Sequence, residues 1–260
     1  MPRLSYYSGM TDANNLTSVT NSDQAIQEFV GGQFIVWLVD YIIHEVGRWP
    51  VMAKIENAKA EGQKLRKFLT QLFLVQQAMW SEKDSEPGFL KFALANLSES
   101  SDPAAEPAVA VLESRFSVKS GDELRVLWVS LFQVLGLTAE ELMRLEPKEA
   151  TRNYIAELSE LYSSSEWPTG LGALVCYWTL IGPKFKAIRQ LCCKLENYSV
   201  KDFEIINSLA VYETQGLTLA HELLEKLSFD HENKYLIWDG VQRHLSLEQE
   251  FLNHTVKYLD

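Results

Sequence analysis

Residues 172–188 read GALVCYWTLIGPKFKAI, an apolar run with no period-two alternation and no hairpin turn at either end. The run reads as the centre of an apolar helix over about 169–195. Pro183 lacks the N–H that a helix interior needs, so it is expected to kink that helix or split it in two. Trp167 and Pro168 punctuate the chain just before it. A helix that is apolar on most sides has to be covered by others, and the flanking sequence supplies them.

On the N-terminal side, residues 148–162 have an amphipathic helical pattern. Before them, GDELRVLWVSLFQVLGLTAEELMRL (121–145) reads as a helix, a tight break at Gly136 and a new helix capped by Thr138. Thr-Ala-Glu-Glu there fits a capping box. The β-branched residues of RVLWVSLFQVL (125–135) hint at a strand, but the cap and the neighbouring segments favour helix. FVGGQFIVWLVDYIIHEVG (29–47) belongs to a largely buried helix that Asp23 can cap and Gln24 opens. Gly31 and Gly32 either allow close packing or mark a kink, and Gly47 and Pro50 end the helix. Residues 51–80 read as one long amphipathic helix whose second half enters the core. A shorter helix fits 87–97, SESSDPAAEP (98–107) has loop composition, and 108–116 suits another turn or two. Helices at about 200–227 and 231–257 complete the chain. The expectation is an all-α fold, a single helical bundle. A polar N-terminal arm spans 1–22, and one all-helical domain of about eight to ten helices spans 23–260.

Bulk composition agrees with a folded soluble protein: 260 residues, 47% hydrophobic and 23% charged. A net charge of −11 repels phosphate backbones and anionic lipid, so no nucleic acid and no membrane partner is expected. No run approaches the length of a membrane span, and the first residues have no apolar core of signal-peptide type. Three cysteines, two of them adjacent at Cys192 and Cys193, make no disulfide framework. Reduced thiols in a cytoplasmic location are the simple reading.

No phosphate loop, nucleotide fingerprint, nucleophile elbow or His-Glu-x-x-His motif occurs, so chemistry has to be sought on helix faces. In NSLAVYETQGLTLAHELLEKL (207–227), Thr214, Thr218 and His221 fall within an arc of roughly 60°. They form the remains of a metal site, a substrate pocket or an ordinary polar edge, and Glu213 beside them faces pocket or solvent. Asp40 and His44 lie one turn apart, with Tyr41 and Trp37 adjacent. They make a pocket wall with an oriented imidazole, or a helix-end histidine favoured by the dipole. Tyr177 and Trp178 are core aromatics or ligand contacts. Glu99 and Glu106 flank a loop, where solvated surface is the default. His231, His244 and His254 read as surface or interface residues of the last amphipathic helix.

Four segments in order resemble the heme-oxygenase-like helical bundle: ALANLSESSDPAAEPAVAVLESRF (93–116), LGLTAEEL (135–142), ALVCYWTLIGPKF (173–185) and VYETQGLTLAHELLEKL (211–227). The nearest branch is that of the chlamydial death-domain-associating protein and its dinuclear-iron oxidase relatives. Thiaminase-like and pyrroloquinoline-quinone-synthase-like proteins are more distant. The resemblance implies a Glu, a His a few residues on, a Glu from a middle helix, then a His-x3-Asp-x2-His group. Glu99 matches the first carboxylate. Glu106 stands where a histidine before proline is expected, apolar residues and a glycine replace the middle glutamate near Leu180 to Gly182, and the last group is Thr214, Thr218 and His221. Glu99, Glu106 and His221 are thus weak metal candidates, with no cofactor expected and iron as the alternative. The implied function is binding of a small organic molecule in a central cavity, without an intact di-metal centre. One alternative is an iron-dependent oxidase or oxygenase with a rearranged ligand set. Another is a non-enzymatic interaction protein. A homodimer is possible in each case.

Overall fold

A computed structural model of the chain describes residues 26–30, 32–59, 61–80, 88, 90–100, 118–164, 166–196, 203–209 and 231–260. These residues contain helices and no strand. The helices are α1 (Gly32–Gly47), α2 (Pro50–Asn57), α3 (Gly62–Trp80), α4 (Leu90–Glu99), α5 (Val118–Val134), α6 (Ala139–Met143), α7 (Glu149–Ser164), α8 (Trp167–Cys192) and α9 (His231–Thr255). A 3-10 turn, Val256–Tyr258, follows α9. Short helical stretches also occur at 26–28 and 203–209. The polar arm (1–22), the 108–116 helix and most of 200–227 lie outside the described residues.

Helix α8 is the axis of the fold. Every residue from Trp167 to Ile181 is buried, which requires cover on all sides. α9 lies along it, and α1, α2, α4 and α7 pack around it. Pro168 sits in the first turn, where its missing N–H has no helical partner to lose. Pro183 does not divide the helix. Side chains on both sides of it are buried in one core, Leu180 and Ile181 before and Phe185, Ala187 and Ile188 after, and their packing holds the helix through the proline. None of the described helices is long and apolar enough to cross a membrane.

The α8–α9 crossing is set by two glycines. A Cβ on Gly172 would lie 2.0 Å from the carbonyl oxygen of Ile237, and one on Gly240 would lie 2.0 Å from that of Thr169. Each glycine thus turns a Cα hydrogen toward a carbonyl of the other helix, and the backbones touch. The side chains of α9 that face α8 are fixed in depth by this contact.

The turns follow local chemistry. Gly136 ends α5 at φ 79°. Leu137 N–H returns to Phe132 O at 2.9 Å and Gly136 N–H to Gln133 O at 3.0 Å, the Schellman pattern. The Thr138–Glu141 capping box forms as expected, opening α6. Residues 51–80 are not one helix: Ala58 leaves the helical region at ψ 151° and the chain restarts at Gly62. Apolar residues such as Val51, Ile55, Leu65 and Phe68 are buried on both sides of the break, so period alone hides it. Likewise 29 and 30 are not helical, and α1 starts at Gly32, where an added Cβ would meet nothing within 4 Å. Gly32 therefore marks a break and does not serve a close crossing.

Helix α7 borrows its caps from two neighbours. Gln71 of α3 accepts from Lys148 N at 3.0 Å and from Thr151 Oγ1 at 2.6 Å, at the start of α7. Asn96 of α4 donates to Tyr162 O and Ser163 O at its end. α7 is thereby held by polar contacts at both termini.

Candidate functional site

The inward stripe of α9 carries Ile237, Gly240, Val241, His244, Leu245, Glu248, Phe251 and Leu252, spaced three and four apart. Polar residues of this helix are buried too: Lys234 and Thr255 toward its ends, and in its middle His244 at 0% and Glu248 at 2% exposed. A carboxylate so placed needs partners. Lys184 of α8 supplies one, with Nζ 3.0 Å from Oε1. The Tyr154 hydroxyl of α7 donates to Oε2. Burial alone would raise the Glu248 carboxyl, but the Lys184 cation and the hydrogen bonds from Tyr154 and Lys184 outweigh it and hold the carboxyl below its ordinary range. The pair is therefore ionised, and its charges balance.

His244 lies one turn before Glu248. Its Nδ1 is 3.5 Å from the hydroxyl of Tyr162 on α7. The rings of Tyr162 and Tyr177 stand edge-on to it. Its Nε2 is buried and has no hydrogen-bond partner among the described residues. Burial pushes the imidazole down to about 4, Lys184 adds to this, and Glu248 opposes it. The ring is neutral at pH 7, with one proton for two nitrogens. Gln76 of α3 donates to the Tyr177 hydroxyl at 2.6 Å, and Lys184 Nζ lies 5.8 Å above the centre of the Tyr177 ring. Burial and then Glu248 hold the Tyr154 phenol and the Cys176 thiol well above their ordinary values, so both keep their protons. The arrangement is a buried charge-balanced pair beside a neutral imidazole, lined by phenols.

Of the residues named from sequence, Tyr177 lies in this cluster, and Trp178 is buried beside it on α8. Asp40 and His44 are exposed on α1. Burial of part of its surface raises the Asp40 carboxyl. Tyr41 is half-buried against Trp37 and Trp238, away from the polar cluster. Glu99 is exposed at the end of α4. Glu106, Glu213, Thr214, Thr218 and His221 lie outside the described residues. His244, read from sequence as a surface or interface residue, is a correction: it is in the core. The available signal was its place on the stripe of Ile237, Val241, Leu245 and Leu252. Tyr154, Tyr162, Lys184 and Glu248 were not singled out, because their partners lie 64 to 94 residues away in sequence.

A metal centre of the kind the resemblance implies needs several imidazole and carboxylate donors together. Among the described residues no group of three or more His, Cys, Asp or Glu side chains converges in that way. His244 and Glu248 are a pair only. Both oxygens of Glu248 are engaged, and an ammonium lies 3.0 Å from one of them. The described donors do not fit a di-metal centre.

No family model and no curated protein matches the chain. Solved structures do. A domain of unknown function with a heme-oxygenase-like fold from Shewanella denitrificans superposes with a TM-score of 0.62 at 14% identity, over 86% of this chain and 91% of that one. A protein of unknown function from Nostoc punctiforme, similar to the chlamydial death-domain-associating protein, gives 0.59 at 14% identity over 94% and 96%. A TenA homologue from P. horikoshii gives 0.54 at 16% identity over 85% and 95%. The chain therefore has the heme-oxygenase-like helical fold, as the order of its segments implied.

Proposed function

We propose that this heme-oxygenase-like chain binds a small organic molecule inside the bundle, at the cluster of Tyr154, Lys184, Glu248 and His244, without an intact di-metal centre. The observation that carries the reading is the His244 Nε2: an imidazole nitrogen fully enclosed, next to a buried ion pair and without a partner among the described residues. Buried polar groups are almost always satisfied, and an imidazole nitrogen left over beside an ion pair is a place for a ligand or a water to bond. Tyr177 and Trp178 belong to the proposed lining; Glu213, Thr214, Thr218 and His221 stay candidates on their sequence pattern and lie outside the described residues. Asp40, Tyr41 and His44 are kept only as candidates for an outer wall.

The test is a fragment screen by ligand-observed NMR on the wild type and on His244→Phe. Binders that the variant loses, while its melting temperature stays near wild type, support the reading. A screen with no His244-dependent binder defeats it. The alternative of an iron-dependent oxidase with a rearranged ligand set is separated by metal analysis after growth with added iron. Little bound iron is expected, and a stoichiometric iron pair per chain would establish the alternative. The acidic surface supports a protein that binds no nucleic acid. Free thiols at Cys176, Cys192 and Cys193 support a cytoplasmic location. Exposed Ile43, Val126 and Met143 leave apolar surface for a second copy in a homodimer, to be read by light scattering.

A further inference from the structure

The cluster has a lopsided inventory of unmet hydrogen bonds. Glu248 has both oxygens occupied, one by the Tyr154 hydroxyl and one by the Lys184 ammonium. Lys184 has three N–H groups and gives one to Glu248; its other contact is the face of the Tyr177 ring. His244 Nε2 has no partner. Tyr162 keeps its phenolic proton, because burial and then Cys176 hold it well above its ordinary value. When that hydroxyl donates to Nδ1, the single imidazole proton lies on Nε2. Lys184 and His244 then each present an N–H for which the described residues supply no acceptor. Charge points the same way. Lys184 and Glu248 cancel and His244 is neutral, so a further buried ion would stand without a counter-charge.

We propose that the molecule bound here presents an uncharged carbonyl oxygen to Lys184 Nζ and His244 Nε2, carried on a flat apolar body packed against Tyr177. This rests on the binding reading above and adds the chemical class of the ligand. An amide or ketone fits. An ammonium is repelled by Lys184 and, like a carboxylate, brings an uncompensated charge into the core.

Three probes of one shape decide it: benzamide, benzoate and benzylamine, each at millimolar concentration. The full chain, labelled with nitrogen-15 in its histidines, is titrated with each probe at neutral pH. The free protein is expected to show the His244 ring protonated on Nε2. Benzamide should shift that resonance, with binding about tenfold weaker in His244→Phe, the value of one hydrogen bond. Tyr162→Phe, which leaves the ion pair intact, should weaken benzamide by releasing the tautomer. An Nε2 without a proton in the free protein overturns the proposal. So does stronger His244-dependent binding of benzylamine or benzoate than of benzamide, which changes the ligand class and leaves the binding reading standing. If no probe moves His244, the carbonyl assignment falls, and the binding reading falls only if the fragment screen also fails.

Discussion

His244 sits where burial and hydrogen bonding conflict, and acid stability should report it. The unfolded imidazole titrates near 6.5, the folded one at about 4. Between those values the unfolded chain binds the extra proton, so stability is complete above 6.5 and falls as the pH drops toward 4. The whole effect is about 3 kcal/mol. The Glu248 carboxyl is shifted below its unfolded value, so its contribution is lost only at still lower pH, as the folded group titrates. Urea midpoints between pH 7 and pH 5 should therefore decline in the wild type and stay nearly level in His244→Phe. An equal decline in both would place the proton elsewhere. The Lys184–Glu248 pair makes a second prediction. Lys184→Met strands a buried carboxylate and should cost about 3–5 kcal/mol in urea denaturation. Lys184→Met with Glu248→Leu should recover much of that, since no charge is left without a partner.

At the scale of the element, glycines do two different jobs, and alanine substitution separates them. At Gly136 an added Cβ meets nothing within 4 Å, and only the φ of 79° is strained. Gly136→Ala should cost about 1 kcal/mol. At Gly172 and Gly240 the dihedrals are ordinary and the space is absent, because a carbonyl of the facing helix occupies it. Gly172→Ala should force α8 and α9 apart at about 3 kcal/mol. Adding Gly240→Ala should cost less than it does alone, because the crossing is already opened. Thr138→Ala removes the capping box of α6 and should lower stability by about 1 kcal/mol. Thermal or urea melts rank all of these. A Gly172→Ala as mild as Gly136→Ala would disprove the backbone contact.

On the scale of the whole molecule, the fold is a set of helices wrapped on α8, with polar chemistry placed at its contact with α7 and α9. Much of this was legible beforehand. The apolar run at 172–188 named the central helix, and the Gly136 break and Thr138 cap are local signals that formed as expected. The break at 58–59 was not legible, whereas the glycine pair 31–32 had already left a kink or a close crossing open. Buried residues fall on both sides of 58–59, and a hydrophobic period cannot show a gap that preserves it. Pro183 gave the opposite lesson: a local breaker was outweighed by burial on both of its flanks.

The sequence alone determined the class and the order of elements, because helical period, caps and turn glycines act over a few residues. It also identified Tyr177 as a candidate, since an aromatic inside an apolar helix is conspicuous. Only the tertiary structure decided that His244 and Glu248 point inward, that Lys184 balances the carboxylate and that Tyr154 and Tyr162 complete the cluster. Those groups come from three helices, joined by contacts that span 64 to 94 residues. Whether a polar side chain on a mixed helix face meets water or another helix depends on what packs there, and for α9 that was fixed by two glycines crossing α8.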